Sequence, residues 1–293
     1  MSIPDWHQLA EVIGRPVDGV RPVRGGDINA AWRVDSGDDR LFVKSTTADK
    51  LAMFEAEAEG LEEIAASGTI RVPEVIASGQ TDDNAFLALE WLDFEAPTTA
   101  VETALGERLA AMHAHTADRF GWHRDNTIGL TPQVNSRHDD WIQFFRRHRL
   151  DFQLDLAARN GYGGDVQSLG RQLADNLDKL FEGDEPEPSL LHGDLWSGNW
   201  AATDGEPVIF DPAVYYGDRE SDIAMTRLFG GFGRAFYDAY DASVRQTNGS
   251  RSNRGDEREA LYQLYHLLNH LNLFGSGYLG SVTGKLRALC AGL

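Results

Sequence analysis

The sequence predicts an α+β fold in two lobes: an N-terminal lobe built on an antiparallel sheet with one main helix, and a larger, mostly helical C-terminal lobe. In the first ninety residues, short runs of β-branched and aromatic residues alternate with Gly and Asp turns, which is typical of strands. After Leu92, apolar residues recur every three to four positions, which is typical of helices that bury one face. We therefore expect an N-terminal lobe of residues 1–92 and a C-terminal lobe of residues 93–293.

Each element follows from its local pattern. The main helix of the N-terminal lobe is predicted over residues 51–66, where apolar side chains from Leu51 to Ile64 share one face. The strands are predicted over residues 20–24, 31–35, 41–44, 72–77 and 85–91. The C-terminal helices are predicted over residues 99–117, 139–158, 166–181, 222–229, 235–244 and 256–274. Residues 248–255 are rich in Gly, Ser and Arg, which predicts a surface loop.

Composition excludes several classes of protein. The chain has 293 residues, 42% of them apolar, which is enough for one large domain or two small lobes. It has no run of eighteen apolar residues and no basic segment leading into an apolar one, so neither a membrane span nor a signal peptide is expected. Cys290 is the single cysteine, which excludes an internal disulfide and a cysteine-built metal site. We expect a cytoplasmic protein, and a monomer because no apolar seam is evident.

The charge is strongly acidic. Forty-six acidic residues against twenty-seven basic ones give a net charge of −19, and only four of the bases are lysine. Such a field repels nucleic acids and anionic membranes, so neither is an expected partner. The composition resembles the acid-rich surfaces of salt-adapted proteins, where high ionic strength screens self-repulsion. An ordinarily acidic enzyme is the alternative.

Residues 191–211 carry the strongest functional signal. Asp194 and Asn199 are five residues apart, and Asp211 closes a strand-like run seventeen residues after Asp194. This is the layout of a kinase catalytic loop and the metal-binding strand that follows it. Asp194 would accept the proton of an attacking hydroxyl, and Asn199 and Asp211 would hold Mg²⁺ on the phosphates of ATP. The sequence therefore predicts an ATP-dependent kinase.

Other side chains near this loop have supporting or substrate roles. His192 is expected to pin the loop rather than to act as an acid or base. Trp196 lies inside the loop, where it could stack on a sugar ring. Asp222 would either cap the next helix or reach back to hold the loop. His266 and His270 are four residues apart but have no evident third ligand, so core or substrate contacts are favoured over a metal site.

The N-terminal lobe contains candidate phosphate-binding residues. Lys44 ends the predicted strand 41–44, where a phosphate-binding lysine is expected. Glu57 lies thirteen residues further on, in the following helix, and could pair with Lys44. The alternatives are a surface lysine and a solvated glutamate, but the scarcity of lysine favours a role for Lys44.

The remaining nucleotide contacts are predicted at two turns. Gly25 and Gly26 join the first two strands, and glycines there let the backbone approach phosphate oxygens. The same residues also suit an ordinary hairpin turn. Between the lobes, the backbone from Glu90 to Leu92 would face an adenine ring.

Protein-kinase features that the sequence lacks limit the class of acceptor. Gly193 precedes Asp194 where a protein kinase has an arginine, only ten residues separate Asp211 from Asp222, and no Ala-Pro-Glu follows. This leaves no room for an activation segment or a peptide-docking platform. A small-molecule acceptor is therefore favoured.

The chain resembles the fructosamine-3-kinase (ketosamine-3-kinase) family, within the aminoglycoside-phosphotransferase-like kinases of the protein-kinase-like superfamily. The resemblance covers nearly the whole length. Its segments are residues 132–135, 139–141, 144–145, 149–150, 192–199, 211–217, 228–232, 261–264 and 268–270. Trp196 with Ser197, and the string from Asp211 to Gly217, are the most restrictive.

The resemblance implies phosphorylation of the 3′ hydroxyl of a ketoamine, such as fructosyl-lysine or ribulosyl-lysine, free or protein-bound. The phosphorylated adduct then breaks down, which is a form of protein deglycation. The family's base, metal and phosphate residues match Asp194, Asn199, Asp211, Lys44 and Glu57. Trp196 and His270 match positions expected near the sugar.

At two places the sequence departs from the pattern usual in this family or in its relatives. Asp218 stands where the family usually has histidine, which would alter the acceptor pocket or reflect the acidic bias. The glycine-rich loop has no cysteine, so a redox switch there is excluded.

One alternative function is that of a phosphotransferase for another small hydroxyl compound, aminoglycoside-like or choline-like. The other is a nucleotide-binding pseudokinase scaffold, against which the presence of Lys44, Asp194, Asn199 and Asp211 argues.

Overall fold

A computed structural model describes residues 5–23, 29–248 and 255–293 of the chain. The strands in these ranges are β1 Gly19–Val23, β2 Ala30–Ser36, β3 Asp39–Thr47, β4 Val75–Gln80, β5 Asn84–Glu90, β6 Asn126–Ile128, β7 Thr131–Gln133, β8 Ser189–Leu191, β9 Trp200–Thr203, β10 Glu206–Ile209 and β11 Tyr215–Gly217. The α-helices are α1 Trp6–Ile13, α2 Leu51–Ala66, α3 Thr99–His113, α4 Trp141–Phe145, α5 Phe152–Arg159, α6 Asp165–Asp175, α7 Glu220–Leu228, α8 Arg234–Asn248, α9 Gly255–Phe274 and α10 Leu279–Ala291. None of these helices has the length and apolar character needed to cross a bilayer.

A five-stranded antiparallel sheet forms the N-terminal part, in the order β1-β2-β3-β5-β4. Alternate residues of β3 face opposite sides of this sheet. Leu41 and Val43 pack with α1 on one side, whereas Phe42 packs with α2 on the other. The same alternation places Lys44 on the α2 side, which brings it to the helix that carries Glu57.

The α1 helix was not predicted, although its end signals are present in the sequence. The Asp5 side chain accepts hydrogen bonds from the backbone N–H groups of His7 and Gln8, and Gly14 ends the helix in the left-handed conformation. Leu9 and Ile13 are buried against the sheet. The helix is only eight residues long, too short for periodicity alone to indicate it.

The rest of the chain is mainly helical, as predicted, around one large apolar core. The central helix is α9, whose buried residues include Leu261, Leu264 and Leu268. Short antiparallel pairs β8–β11, β9–β10 and β6–β7 carry the loops between the helices. The α+β prediction, with an antiparallel N-terminal sheet and a helical remainder, is confirmed.

Several predicted boundaries were wrong. The strand predicted over residues 72–77 is β4 Val75–Gln80, because Pro73 cannot donate a hydrogen bond to the ladder. The single helix predicted over residues 139–158 is interrupted by a π-helical segment, Arg146–Asp151. The helix predicted over residues 166–181 ends at Asp175 and continues as a 3₁₀ segment, Leu177–Phe181. The C-terminal α10 was missed, and most of the predicted loop 248–255 lies outside the described residues.

We predict that Gly106→Ala destabilises the protein. Gly106 is where α3 crosses α8, and a Cβ atom there would lie 2.3 Å from the Phe236 carbonyl oxygen and 2.9 Å from the Tyr240 nitrogen. Backbone cannot yield as a side chain does, so the helices must separate. We expect a loss of about 1–3 kcal/mol in the free energy of unfolding, measured with urea. Gly284→Ala, on α10 with no atom near its Cβ position, is the control and should not destabilise.

Candidate active site

Lys44, on the N-terminal sheet, forms ion pairs with carboxylates on two other elements. Its Nζ lies 2.6 Å from Glu57 Oε1 on α2 and 2.6 Å from Asp211 Oδ1, in the loop after β10. Burial by itself lowers the pKa of a lysine, but the two carboxylates more than offset this effect and raise the pKa of Lys44 above its usual value. The ammonium group therefore stays charged and bridges the sheet, the helix and the C-terminal part.

Asp211 occupies an unusual backbone conformation. Its φ of 58° is in the left-handed region, which few residues other than glycine, asparagine and aspartate adopt. The turn lets the chain leave β10 and return, so that the Ala213 N–H donates to the His192 carbonyl at 2.8 Å. The Asp211 side chain is 42% exposed, so it can contact both Lys44 and a ligand.

The catalytic loop is held by its own polar groups. Asn199 Nδ2 donates to the Asp194 carbonyl oxygen at 2.9 Å, and the Asn199 N–H donates to the Trp196 carbonyl at 3.0 Å. Burial, together with the negative charges of Asp211 and Asp222, raises the pKa of Asp194 to about 7. A cation bound nearby would reverse this effect, because a positive charge favours the ionised carboxylate.

His192 connects this loop to the strand that leads into Asp211. Its Nδ1 accepts the Asp194 N–H at 3.2 Å, so Nε2 carries the proton and donates to the Phe210 carbonyl at 3.0 Å. Burial lowers the pKa of His192, which keeps the imidazole neutral. The two bonds fix the spacing between Asp194 and Asp211.

Asp222 binds the backbone of the catalytic loop. Its carboxylate accepts the backbone N–H groups of His192 at 2.7 Å and Gly193 at 2.8 Å. It also contacts His113 Nε2 at 3.1 Å, and His113 Nδ1 contacts the Tyr240 hydroxyl at 2.7 Å. Burial would raise the pKa of Asp222, but these hydrogen bonds and the neighbouring imidazoles hold it below its usual range. Sequence reasoning missed His113 and Tyr240, because both lie far along the chain from the loop they support.

The donor set fits a kinase-type Mg²⁺ site. The Asn199 amide nitrogen is engaged by a carbonyl, which leaves its oxygen for a cation, and Asp211 supplies a carboxylate. Mg²⁺ commonly takes one or two protein oxygens and completes its shell with phosphates and water. Within the described ranges, no three His, Cys, Asp or Glu side chains are arranged to hold a metal by themselves. A cation would therefore depend on the nucleotide.

The remaining predicted nucleotide residues have mixed outcomes. Gly25 and Gly26 lie outside the described residues. The Glu90 side chain pairs with Arg71 at 2.8 Å, so its carboxylate is already engaged and the predicted role falls to its backbone. Leu92 is half-buried after β5. Two residues beyond it, the Phe94 ring stacks on Phe210 with centroids 5.4 Å apart, an aromatic pair that the sequence reasoning did not identify.

Of the two predicted acceptor residues, Trp196 lies in the loop that contains Asp194, and His270 lies on α9. Trp196 is 38% exposed. His270 lies among three aromatic rings, with centroid distances of 4.9 Å to Phe229, 5.1 Å to Tyr278 and 5.5 Å to Phe274. The loop after Phe229 reaches the catalytic loop, since a Cβ on Gly231 would lie 2.4 Å from Ser197 Cβ. An exposed aromatic surface thus begins close to the catalytic loop.

Asp218, the departure from the usual histidine, is explained by a buried ion pair. It is 3% exposed, accepts the Tyr262 hydroxyl at 2.5 Å, and lies 3.2 Å from Arg258, which is also 3% exposed. Arg258 further contacts Glu220 at 2.9 Å and Asp184 at 2.6 Å. Asp218 therefore neutralises a buried arginine, which accounts for its acidic side chain.

We predict that Asp218→Asn lowers the free energy of unfolding by about 1–3 kcal/mol, because Arg258 loses its most buried carboxylate. Urea unfolding measures the loss. Asp139→Asn is the control, because Asp139 is 75% exposed and its pair with Arg119 contributes little. Equal effects of the two substitutions would show that the buried pair is energetically unimportant.

The fold and the site together define a class of protein. The structure is similar to an aminoglycoside phosphotransferase, APH(4)-Ia, solved as a ternary complex with ADP and hygromycin B, with a TM-score of 0.68 at 17% identity over 98% of both chains. It is more similar to two solved proteins described as fructosamine-3-kinases. These come from Haemophilus somnus (TM-score 0.87, 28% identity, 97% of this chain and 96% of that one) and Thermobifida fusca (TM-score 0.85, 33% identity, 98% of each chain). The class is that of the kinase-like small-molecule phosphotransferases.

Sequence comparison identifies the family within this class. The profile of the fructosamine kinase family matches residues 4–291, and the chain belongs to that family. It is 45% identical over 275 residues to a protein of Synechocystis named a ketoamine kinase, covering 92% of this chain and 90% of that one. It is 42% identical over 279 residues to a rice (Oryza sativa subsp. indica) protein-ribulosamine 3-kinase, covering 93% and 79%. The predicted family is confirmed.

Proposed function

We propose that the protein is an ATP-dependent ketoamine 3-kinase, which phosphorylates the 3′ hydroxyl of fructosamines or ribulosamines, free or protein-bound. The observation that carries the proposal is the junction of Lys44, Glu57 and Asp211 in the vicinity of Asp194. Membership of the fructosamine kinase family and relatives named ketoamine kinase and protein-ribulosamine 3-kinase support the acceptor class.

On the nucleotide side, Lys44 would bind the phosphates while Glu57 keeps its ammonium in place. The Lys44–Asp211 contact of 2.6 Å marks where the phosphates and the cation would enter. Asn199 and Asp211 would hold Mg²⁺, which neutralises charge on the phosphates when it is bound. The stacked Phe94 and Phe210 rings offer an apolar face to a base, next to the backbone of residues 90–92.

On the acceptor side, Asp194 would orient the hydroxyl and take its proton. Phosphoryl transfer depends mainly on position and charge, so the rigid support from His192 and Asp222 matters more than a strong base. Trp196 would stack on the sugar, and the aromatic cluster around His270 would lie further out, toward the amine.

Other inferences from the sequence stay predictions. These are the division of the chain after Leu92 into nucleotide-binding and catalytic lobes, the glycine-rich lid at Gly25 and Gly26, a monomeric state, a cytoplasmic location and adaptation to salt. Nucleic acids and membranes are still not expected as partners, because the net charge of −19 disfavours both.

The acceptor class is tested with a substrate panel. Purified protein with Mg²⁺ and ATP is offered a fructosamine, a ribulosamine, choline and a set of aminoglycosides, and ADP release is measured. We expect turnover of at least one ketoamine with kcat/KM well above that of every other compound. Turnover of an aminoglycoside or choline without turnover of either ketoamine would reject the proposed acceptor, and no turnover of any compound would favour the pseudokinase alternative.

Asp194→Asn tests the catalytic assignment. Removing the proton acceptor while keeping the side-chain shape should lower kcat about 10²–10⁴-fold, with unfolding free energy close to that of the wild type. Asp175→Asn is the control, since Asp175 is 67% exposed and pairs with Arg146 away from the site. Activity of Asp194→Asn within a few-fold of the wild type would mean that another group accepts the proton.

A further inference from the structure

The face of α2 opposite Glu57 carries a second set of acidic side chains. Glu55, Glu59 and Glu63 are spaced four residues apart, so they form one stripe along the helix. Glu57 lies about 200° of helical rotation from Glu55 and from Glu59, so the stripe faces away from Lys44. The helix has five glutamates and no basic residue, and it packs against the segment that begins at Asp211, so it needs positive partners to offset the repulsion.

Arg124 and His123 supply partners for the middle of the stripe. Arg124 Nη1 donates to Glu59 Oε1 at 2.5 Å, and His123 Nε2 lies 2.7 Å from Glu59 Oε2. Arg124 Nη2 also donates to the Ala52 carbonyl at 3.4 Å and lies 3.7 Å from Glu55. One guanidinium group therefore contacts α2 over about two turns.

The third glutamate is bound by a tyrosine. The Tyr216 hydroxyl donates to Glu63 Oε1 at 2.7 Å. Tyr216 belongs to β11, within the same restrictive segment that begins at Asp211. The far end of α2 is thus tied to the chain that carries the metal-binding carboxylate.

The partners of α2 are themselves fixed to that segment. Gly121 and Tyr216 exchange two backbone hydrogen bonds of 2.9 Å each, which joins the Arg124 loop to β11. Asn135 Nδ2 donates to the Arg124 carbonyl at 3.2 Å. Between the glutamates, Gly60 lets α2 approach the same segment, since a Cβ there would lie only 3.1 Å from Val214 Cγ2.

We propose that Arg124 is a positioning residue for catalysis: by binding Glu59 it holds α2 against the segment 211–216, so that Glu57 keeps Lys44 directed at the nucleotide. The inference rests on the proposed kinase function. In this arrangement the helix is held in place by permanent contacts and needs no modified activation segment. Arg124 is 65 residues from Glu59 and 70 residues from Asp194 along the chain, and no motif marks it in the sequence.

The test compares Arg124→Ala and Arg124→Lys with Arg119→Ala. Arg119 lies in the same connection between α3 and β6, but it pairs with the exposed Asp139 instead of α2. For Arg124→Ala we expect kcat/KM for ATP to fall about tenfold, the scale of one charge-assisted hydrogen bond. The KM for the acceptor should stay within twofold, and Arg124→Lys should recover part of the loss because an ammonium can still pair with Glu59.

Two further measurements separate positioning from simple stability. Hydrogen exchange of the α2 amides should accelerate in Arg124→Ala but not in Arg119→Ala. Glu59→Gln should cause a smaller loss in Arg124→Ala than in the wild type, because the Arg124–Glu59 contact is already gone and only the His123 contact is left to lose. Wild-type kcat/KM for ATP in Arg124→Ala, or the same loss in Arg119→Ala, would overturn the proposal.

The proposal can fail independently of the proposed function. If no acceptor is phosphorylated, affinity for a non-hydrolysable ATP analogue, measured by calorimetry, replaces kinetics. A tenfold weaker affinity with faster α2 exchange in Arg124→Ala would then support the positioning role while the acceptor assignment fails. Unchanged affinity and exchange would reject the positioning role whatever the acceptor.

Discussion

One ammonium group shared by two carboxylates is the interaction on which the site depends. Lys44 is contributed by the sheet, Glu57 by α2 and Asp211 by the loop after β10, so three separate elements must be in place at once. Because the group is buried, misplacing either acid would leave charge without a partner at low dielectric. The site is therefore complete only when the sheet, α2 and the loop after β10 are all in position.

The catalytic loop is organised in a different way, through its backbone. The carboxylate of Asp222 accepts two successive N–H groups, and the imidazole of His192 spans from Asp194 to Phe210. Both contacts lie inside the C-terminal part and do not involve Lys44. The loop is thus held in shape without the N-terminal sheet, whereas the ion pairs of Lys44 require it.

The sequence was most informative where the chemistry is local. Asp194, Asn199 and Asp211 lie within eighteen residues, and their spacing follows directly from one loop and one hairpin. Contacts between distant segments could not be predicted: His113 meets Asp222 across 109 residues and Arg124 meets Glu59 across 65. Arginine, histidine and glutamate are common surface residues, so only the fold reveals these pairs. The role of Asp218 could not be decided from the sequence for the same reason, because its partner Arg258 lies far along the chain.

The left-handed backbone at Asp211 has an evolutionary consequence. Asparagine tolerates that conformation nearly as well as aspartate, whereas most other residues do not. A single exchange of acid for amide at this position would remove the negative charge and leave the turn intact. If Asp211 holds the cation as proposed, a gene duplicate of this protein would lose catalysis in one such step while it kept its fold and every other residue of the site.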